Sequence, residues 1–351
     1  MDRRRFLVRG LQFGGLAAMG VPLLAACGGD DDDKSSGGGG GAHGKIKIRL
    51  SWIKNVEFAG EYLADTRGYY LAEGFSGVEL VSGGPSAPPQ DTDVVTRQAF
   101  VGISAPDVTG AAVKEGAPLK IIGAQYQKNP FCVMSLAKKP IATPQDMYGK
   151  KIGVQATNET VWSAFLKAAN LDGSRIQKVP AQFDPTPLTT GDVDGWFSFV
   201  TNEPNTLKVK GIDTVTFKLA DFGYPLVSET FMVLDETIKK DREKVKAFLR
   251  AEIRGWKDSL ADPAAGAALA VEKYGKDLGL DVPEQTLESQ SQNALILTDD
   301  TRANGLFSIT DALVEANIQT LKIAGIDVRA DQLFDLSLLR EVYAENPALK
   351  A

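Results

Sequence analysis

Histidine and cysteine are almost missing from this chain. Its 351 residues include one histidine, His43, and two cysteines, Cys27 and Cys132. A nitrogen- and sulfur-ligated metal centre needs several such side chains at defined spacing, so metal chemistry of that kind is excluded. Ser–His and Cys–His couples within a folded domain are excluded for the same reason. No Walker-type phosphate loop occurs, and no Gly-x-Gly-x-x-Gly opens a helix after a strand. Basic charge is also in short supply. Lys and Arg total 39 against 45 Asp and Glu, a formal net charge of −6, which argues against nucleic acid as a partner. Beyond the first 27 residues no run is long and apolar enough to span a membrane, which takes ~20 such residues.

What is present begins with an address. Residues 1–27 carry Arg3-Arg4-Arg5, an apolar stretch from Leu11 to Ala26, and the ending Leu24-Ala25-Ala26-Cys27-Gly28. A basic start, a glycine-interrupted apolar run and small residues before a cysteine resemble a bacterial export signal with a lipobox, which would leave Cys27 as the lipidated N-terminus. Asp2 stands where a twin-arginine signal carries Ser or Thr, so the twin-arginine and general secretory routes both stay open. Residues 28–44, rich in Asp and Gly and holding His43, cannot bury apolar surface and read as a solvated tether. Cys132 is then the only cysteine left, with no intrachain disulfide partner, and reads as a small buried hydrophobe.

From residue 45 onward strand and helix patterns alternate. Ile46, Ile48, Leu50 and Trp52 share one face of a strand over 45–52. Further strand patterns fall at 78–81, 100–104, 119–125, 131–136, 151–155, 176–179, 196–200, 214–219 and 229–234. Ser104-x-x-Asp107 has the spacing of a capping box. After 234 the chain turns helical, with Val245, Phe248, Leu249, Ile253 and Trp256 along one amphipathic face. Alternation of this kind predicts parallel sheets in an α/β chain of two lobes with a helical C-terminal tail. The predicted division puts residues 45–136 and 230–351 in lobe 1 and 137–229 in lobe 2, with hinge crossings near 136–139 and 225–230.

Ligands of open α/β sheets sit beyond strand carboxyl ends, and the polar and aromatic residues there are the binding candidates. They are Trp52, Asn55, Ser104, Tyr126, Asn158, Glu159, Trp196, Asn202, Glu203 and Tyr224. Asp192–Pro204 looks most telling: the apolar run 196–200 breaks into Thr201-Asn202-Glu203-Pro204, a helix start with Pro in its first turn. Ser104, Thr157 and Asn202 would stand at helix starts, where free N–H groups favour an anion. Trp52, Trp196 and Tyr224 offer faces for a flat ring, with Asn and Glu at its edge. Each aromatic fits core packing equally well, and Ser104 and Thr157 fit plain capping. Their recurrence in both units is what favours a cleft.

Trp52-x-x-Asn55-x-x-Phe58-Ala59-Gly60-x-Tyr62-x-Ala64, followed by Gly68-Tyr69-Tyr70 and Glu73-Gly74, resembles the opening of the substrate-binding proteins of thiamine-pyrimidine-precursor, taurine and alkanesulfonate importers. Phe100-Val101-Gly102-Ile103, Glu115-Gly116-Ala117-Pro118-Leu119, Gly149-Lys150-Lys151-Ile152-Gly153-Val154, Thr201-Asn202-Glu203-Pro204, Phe248-Leu249-Arg250 and Gly255-Trp256 extend the resemblance over 45–275. It implies a periplasmic-binding-protein fold, two α/β lobes closing on a ligand, and delivery to the permease and ATPase of an ABC transporter. It also adds Phe58 to the candidate site and implies a monomeric, lipid-anchored, extracytoplasmic protein that is not an enzyme and needs no cofactor.

The pyrimidine-precursor branch holds a heteroaromatic ring between aromatic side chains with an acidic residue near its amino groups. Trp52, Asn55, Trp196 and Glu203 suit that arrangement, so the expected ligand is a pyrimidine-like or flavin-like ring. A small anion such as a sulfonate, taurine or nitrate is the alternative. A pyrimidine synthase, which in this fold family consumes its own histidine with iron, is the enzymatic alternative, and the sequence lacks its active-site histidine and cysteine-rich motif.

Overall fold

A computed structural model describes residues 42–350. The predicted export signal with Cys27, and nearly all of the predicted tether, lie outside the described residues. Within them, two five-stranded sheets form. The first contains β1 (Gly44–Arg49), β2 (Phe75–Val81), β3 (Val101–Ser104), β4 (Leu119–Tyr126) and β10 (Ser228–Leu234), in the order β2-β1-β3-β10-β4. The second contains β5 (Phe131–Leu136), β6 (Lys151–Gln155), β7 (Gln177–Ala181), β8 (Gly195–Phe199) and β9 (Thr214–Lys218), in the order β7-β6-β8-β5-β9.

Neither sheet is wholly parallel, contrary to the prediction. β1 runs parallel to β2 and β3, whereas β10 is antiparallel to both β3 and β4. Likewise β6 is parallel to β7 and β8, and β5 is antiparallel to β8 and β9. Connectivity explains this. β5 and β10 are the strands through which the chain enters each sheet from the other, at residues 127–130 and 219–227. A short crossing between neighbouring sheet ends must enter its new sheet running away from that end.

The first crossing precedes β5, so the stretch 136–139 predicted for it lies inside the second sheet's territory. The all-buried run Phe131–Leu136 belongs to that sheet, pairing with β8 and β9. The C-terminal tail also departs from its predicted assignment to one lobe. Leu321, Ile326, Leu333 and Phe334 share a core with Phe131, Phe165, Phe217 and Leu219 as well as with Ile121 of β4. The tail therefore packs against both sheets.

The helix Arg242–Ala261 buries Val245, Phe248, Leu249, Ile253 and Trp256, as their spacing predicts. It crosses the helix Ala59–Thr66 at backbone contact. A Cβ on Gly255 would lie 2.1 Å from the Gly60 carbonyl oxygen, and one on Gly60 would lie 2.2 Å from the Trp256 ring. Both glycines are thus required by close approach, which anchors the first sheet's helical layer.

Candidate functional site

A cleft opens where strand ends of the two sheets meet. It encloses about 580 Å³ including its open part. From the first sheet, Ser51 and Trp52 follow β1, Ser104 ends β3, and Ser228 and Glu229 begin β10. From the second, Phe131 begins β5, while Ser198, Phe199, Asn202 and Glu203 end and follow β8. Gln90, Glu57, Thr157 and Asn158 complete most of the polar lining.

Arg49 sets the rim. Its guanidinium donates to the carbonyls of Ser82 and Pro88 and lies 2.8 Å from Asp93 Oδ2. This anchors the loop 82–90, from which Gln90 Nε2 donates to the Ser51 carbonyl at 2.8 Å. The same loop reaches across the cleft, where Thr157 N–H donates to the Pro85 carbonyl at 3.2 Å.

Five of the sequence candidates line the cleft: Trp52, Ser104, Asn158, Asn202 and Glu203. The Thr201–Pro204 turn folds as predicted, with Asn202 at the N-cap of the helix Glu203–Val209 and Pro204 in its first turn. Ser104 is not a cap: the N-cap of Pro106–Lys114 is Ala105, without a side-chain bond, and Asp107 instead receives the Tyr224 hydroxyl. Tyr224 is thereby held in the core, away from the cleft. Asn55 caps a buried turn by accepting from Glu57 N–H and donates to Glu288 at 2.9 Å. Phe58 is fully buried, and Tyr126 donates to Gln292 Oε1 at 2.7 Å. Glu159 is exposed and paired with Lys178.

Trp196 is the main correction. Its indole is buried among Met134, Leu136, Leu188, Val193 and Leu207. Gly153 on β6 leaves the room it fills, since a Cβ there would sit 2.7 Å from the Trp196 ring. The residue lies near the start of β8, and only the other end of that strand meets the cleft. The aromatic lining is instead Trp52 from the first sheet's side and Phe131 with Phe199 from the second sheet. Those two rings meet edge to face, with centroids 4.5 Å apart at 87°. Phe131, Ser228 and Glu229 escape a reading that looks only beyond strand carboxyl ends. Each stands at the start of an antiparallel strand, which delivers its first residues to that same edge.

The cleft is acidic, and among the described residues no Lys or Arg lines it. Burial pushes Glu203 up to about 8, against the opposing pull of its own and Phe199's backbone N–H groups and the Trp196 indole. Glu57 rises well above the usual carboxylate range through burial and the nearby Glu229 and Glu288 carboxyls. Burial likewise raises Glu229, with the Ser51 hydroxyl opposing. Glu229 also holds a φ of 48° within β10, a conformation that costs a non-glycine residue ~1–3 kcal/mol and recurs at ligand sites. The N-caps Ala105, Asn158 and Asn202 bring three helix starts to the cleft. Such a start favours an anion by only ~0.3–1 kcal/mol, and no Lys or Arg among the described residues lines the cleft to add to it.

Residues 55–266 match the sequence profile of the family described as "NMT1/THI5 like". The chain belongs to this family. Among its relatives is the riboflavin-binding protein RibY of Chloroflexus aurantiacus, 28% identical over 230 residues, 62% of this chain and 63% of that protein. A 4-amino-5-hydroxymethyl-2-methylpyrimidine phosphate synthase of Legionella pneumophila is 24% identical over 217 residues, 60% of this chain and 68% of the synthase. Among solved structures, the periplasmic aliphatic sulphonate binding protein SsuA of Escherichia coli superposes with a TM-score of 0.59 at 14% identity, over 80% of this chain and 86% of SsuA. The fold is therefore that of periplasmic binding proteins, as the sequence resemblance implied. No helix among the described residues is long and apolar enough to cross a membrane.

Proposed function

We propose that the protein is an extracytoplasmic solute receptor of an ABC-type importer that binds a small heteroaromatic ligand, pyrimidine-like or flavin-like, between its two sheets. The observation that carries this reading is the lining of the cleft: Trp52, Phe131 and Phe199, three carboxyls, and, among the described residues, no Lys or Arg. Aromatic walls suit a flat ring, and carboxyl acceptors suit its N–H or O–H edge. The same lining disfavours a sulfonate or nitrate, because it offers such an anion no Lys or Arg. The names of two relatives, a riboflavin-binding protein and a pyrimidine phosphate synthase, agree with a ring-shaped ligand.

The receptor reading is favoured over the synthase by the position of the chain's one histidine. His43 packs against Phe75, ring centroids 5.3 Å apart, and does not line the cleft. In the proposed cycle the ligand enters an open form, the two lobes close about the crossings at 127–130 and 219–227, and the closed form docks on the permease. A lipid on Cys27 and the Gly/Asp-rich tether would hold this monomeric receptor at the outer face of the cytoplasmic membrane. Native mass spectrometry of the purified full chain, followed by identification of any released molecule, tests the reading. A bound heteroaromatic ring supports it, and a bound sulfonate, taurine or nitrate overturns it.

A further inference from the structure

We infer that the helix Val282–Ile296 is a latch between the two lobes: it is fixed to the first, and through Asn205 and Thr206 it holds the second in the closed position. This rests on the opening and closing of the receptor reading and deepens it, because it names a contact away from the cleft lining that biases the lobes toward closure before any ligand is bound.

The helix buries Gln285, Glu288, Ser289, Gln292 and Ile296. Four of these five are polar, so its inward face is built for hydrogen bonds rather than for an apolar core, and buried polar groups need partners. Most of those partners belong to the first lobe. Gln285 Oε1 accepts from Val56 N–H at 2.7 Å, and Glu288 Oε1 accepts from Asn55 Nδ2 at 2.9 Å. Gln292 accepts from the Tyr126 hydroxyl at 2.7 Å and donates to the Val56 carbonyl at 3.2 Å. At the far end, the Leu295 carbonyl accepts from Gln127 N–H at 2.8 Å, which ties the helix to the first crossing. All of these partners precede β5, so the helix travels with the first sheet.

Two bonds reach the second lobe, both from the helix Glu203–Val209. Asn205 Nδ2 donates to Ser291 Oγ at 3.1 Å, and the Thr206 hydroxyl donates to Glu284 Oε1. Ser291 accepts there because its own proton goes to the Leu287 carbonyl at 2.8 Å. Asn205 Nδ2 also donates to the Thr201 carbonyl at 2.6 Å, inside the turn that carries Asn202 and Glu203 to the cleft. Asn205 thus fastens the cleft turn of the second lobe to a helix of the first. Polarity suits this contact to a latch. An apolar contact would expose its surface to water each time the lobes part. These groups instead exchange one hydrogen bond for another with water, so each shifts an equilibrium by only about 2- to 12-fold.

Trp52 reports the state of the cleft. It lines the cleft, whereas the other tryptophans, Trp162, Trp196 and Trp256, lie in hydrophobic cores. The test is tryptophan emission and acrylamide quenching of the purified full chain without ligand. Thr206→Val combined with Ser291→Ala removes both bonds and should lower the closed-to-open ratio about 10-fold or more, read as emission at longer wavelength and stronger quenching. Thr206→Val alone should give part of this change, and Thr206→Ser, which keeps the hydroxyl, should match wild type. Adding Trp52→Phe to the double variant should abolish the change. Glu284→Ala, which takes the acceptor from Thr206 at a half-buried site, gives the same readout as Thr206→Val should the double variant fail to fold. An unchanged signal overturns the latch, as does a change that persists without Trp52 or one as large in Thr206→Ser as in Thr206→Val. Riboflavin and 4-aminopyrimidine titrated into the same proteins report on the receptor reading separately. If either ring binds wild type while the Trp52 signal is indifferent to the variants, the latch falls and the receptor stands. If the variants expose Trp52 as expected and neither ring binds, the heteroaromatic reading falls and the latch stands.

Discussion

Replacing Glu203 by Gln keeps the shape of the side chain and removes its charge, which turns the buried carboxyl into a measurable quantity. Burial raises its pKa from 4.5 to about 8. At ~1.4 kcal/mol per tenfold change in proton affinity, that difference is worth about 5 kcal/mol. The sign follows from linkage: between these two values the folded chain holds a proton that the unfolded chain has released, so stability falls as pH rises across the window. Below pH 4.5 both states are protonated, and above about 8 both are ionised, so the dependence flattens at each end. In the Gln variant this contribution is absent. The new amide NH2 shifts stability by an offset that does not vary with pH. Urea unfolding of both proteins, at intervals from below pH 4.5 to above pH 8, therefore isolates Glu203 in the changing difference between them. The other buried carboxyls are common to both, and among them Glu288 responds to the change, since the Glu203 charge contributes to the rise of Glu288. The variant should gain several kcal/mol on wild type across the window. A difference constant to within ~0.5 kcal/mol would refute the reasoning, since Glu203 would then be as well solvated in the folded protein as in the unfolded one.

Three further outcomes are expected. Trp196→Ala should cost ~3–5 kcal/mol in denaturant unfolding through the cavity it leaves against Gly153, yet leave affinity for the ligand identified by mass spectrometry nearly unchanged. Phe199→Ala, or Trp52→Ala, should do the reverse in a binding titration, weakening a ring ligand about 10-fold with a smaller effect on stability. Gly255→Ala should lower stability by ~1–3 kcal/mol or more, seen as a lower melting temperature, because its methyl group meets the Gly60 carbonyl.

The sequence made the element types and much of the cleft's position legible. Alternation revealed β1, the 3.6-residue period revealed the helix Arg242–Ala261, and the Asn202–Pro204 signal marked the helix start beside the site. Strand direction was not legible, because Phe131–Leu136 and Ser228–Leu234 are apolar runs with the same pattern whichever way they point. That single gap moved the first crossing and hid Phe131, Ser228 and Glu229. Trp196 misled for a different reason: a glycine on the neighbouring strand made room for the indole, and nothing near residue 196 announces a partner at 153. Tyr224 and Asn55 are likewise spoken for by Asp107 and Glu288, which are distant in sequence.

The placement of β10 bears on how the chain reaches this state. Among the described residues β4 lies at the end of its sheet with β10 as its one strand partner, which arrives about a hundred residues later, after the whole second sheet. Until then a nearly fully buried eight-residue strand, Leu119–Tyr126, has an open edge on both sides. Long-range pairing of this sort slows folding, and an apolar strand without a neighbour invites association with other chains. A nascent chain stopped before residue 228 would thus present a sticky, unfinished first sheet beside a second sheet that already has all of its strands.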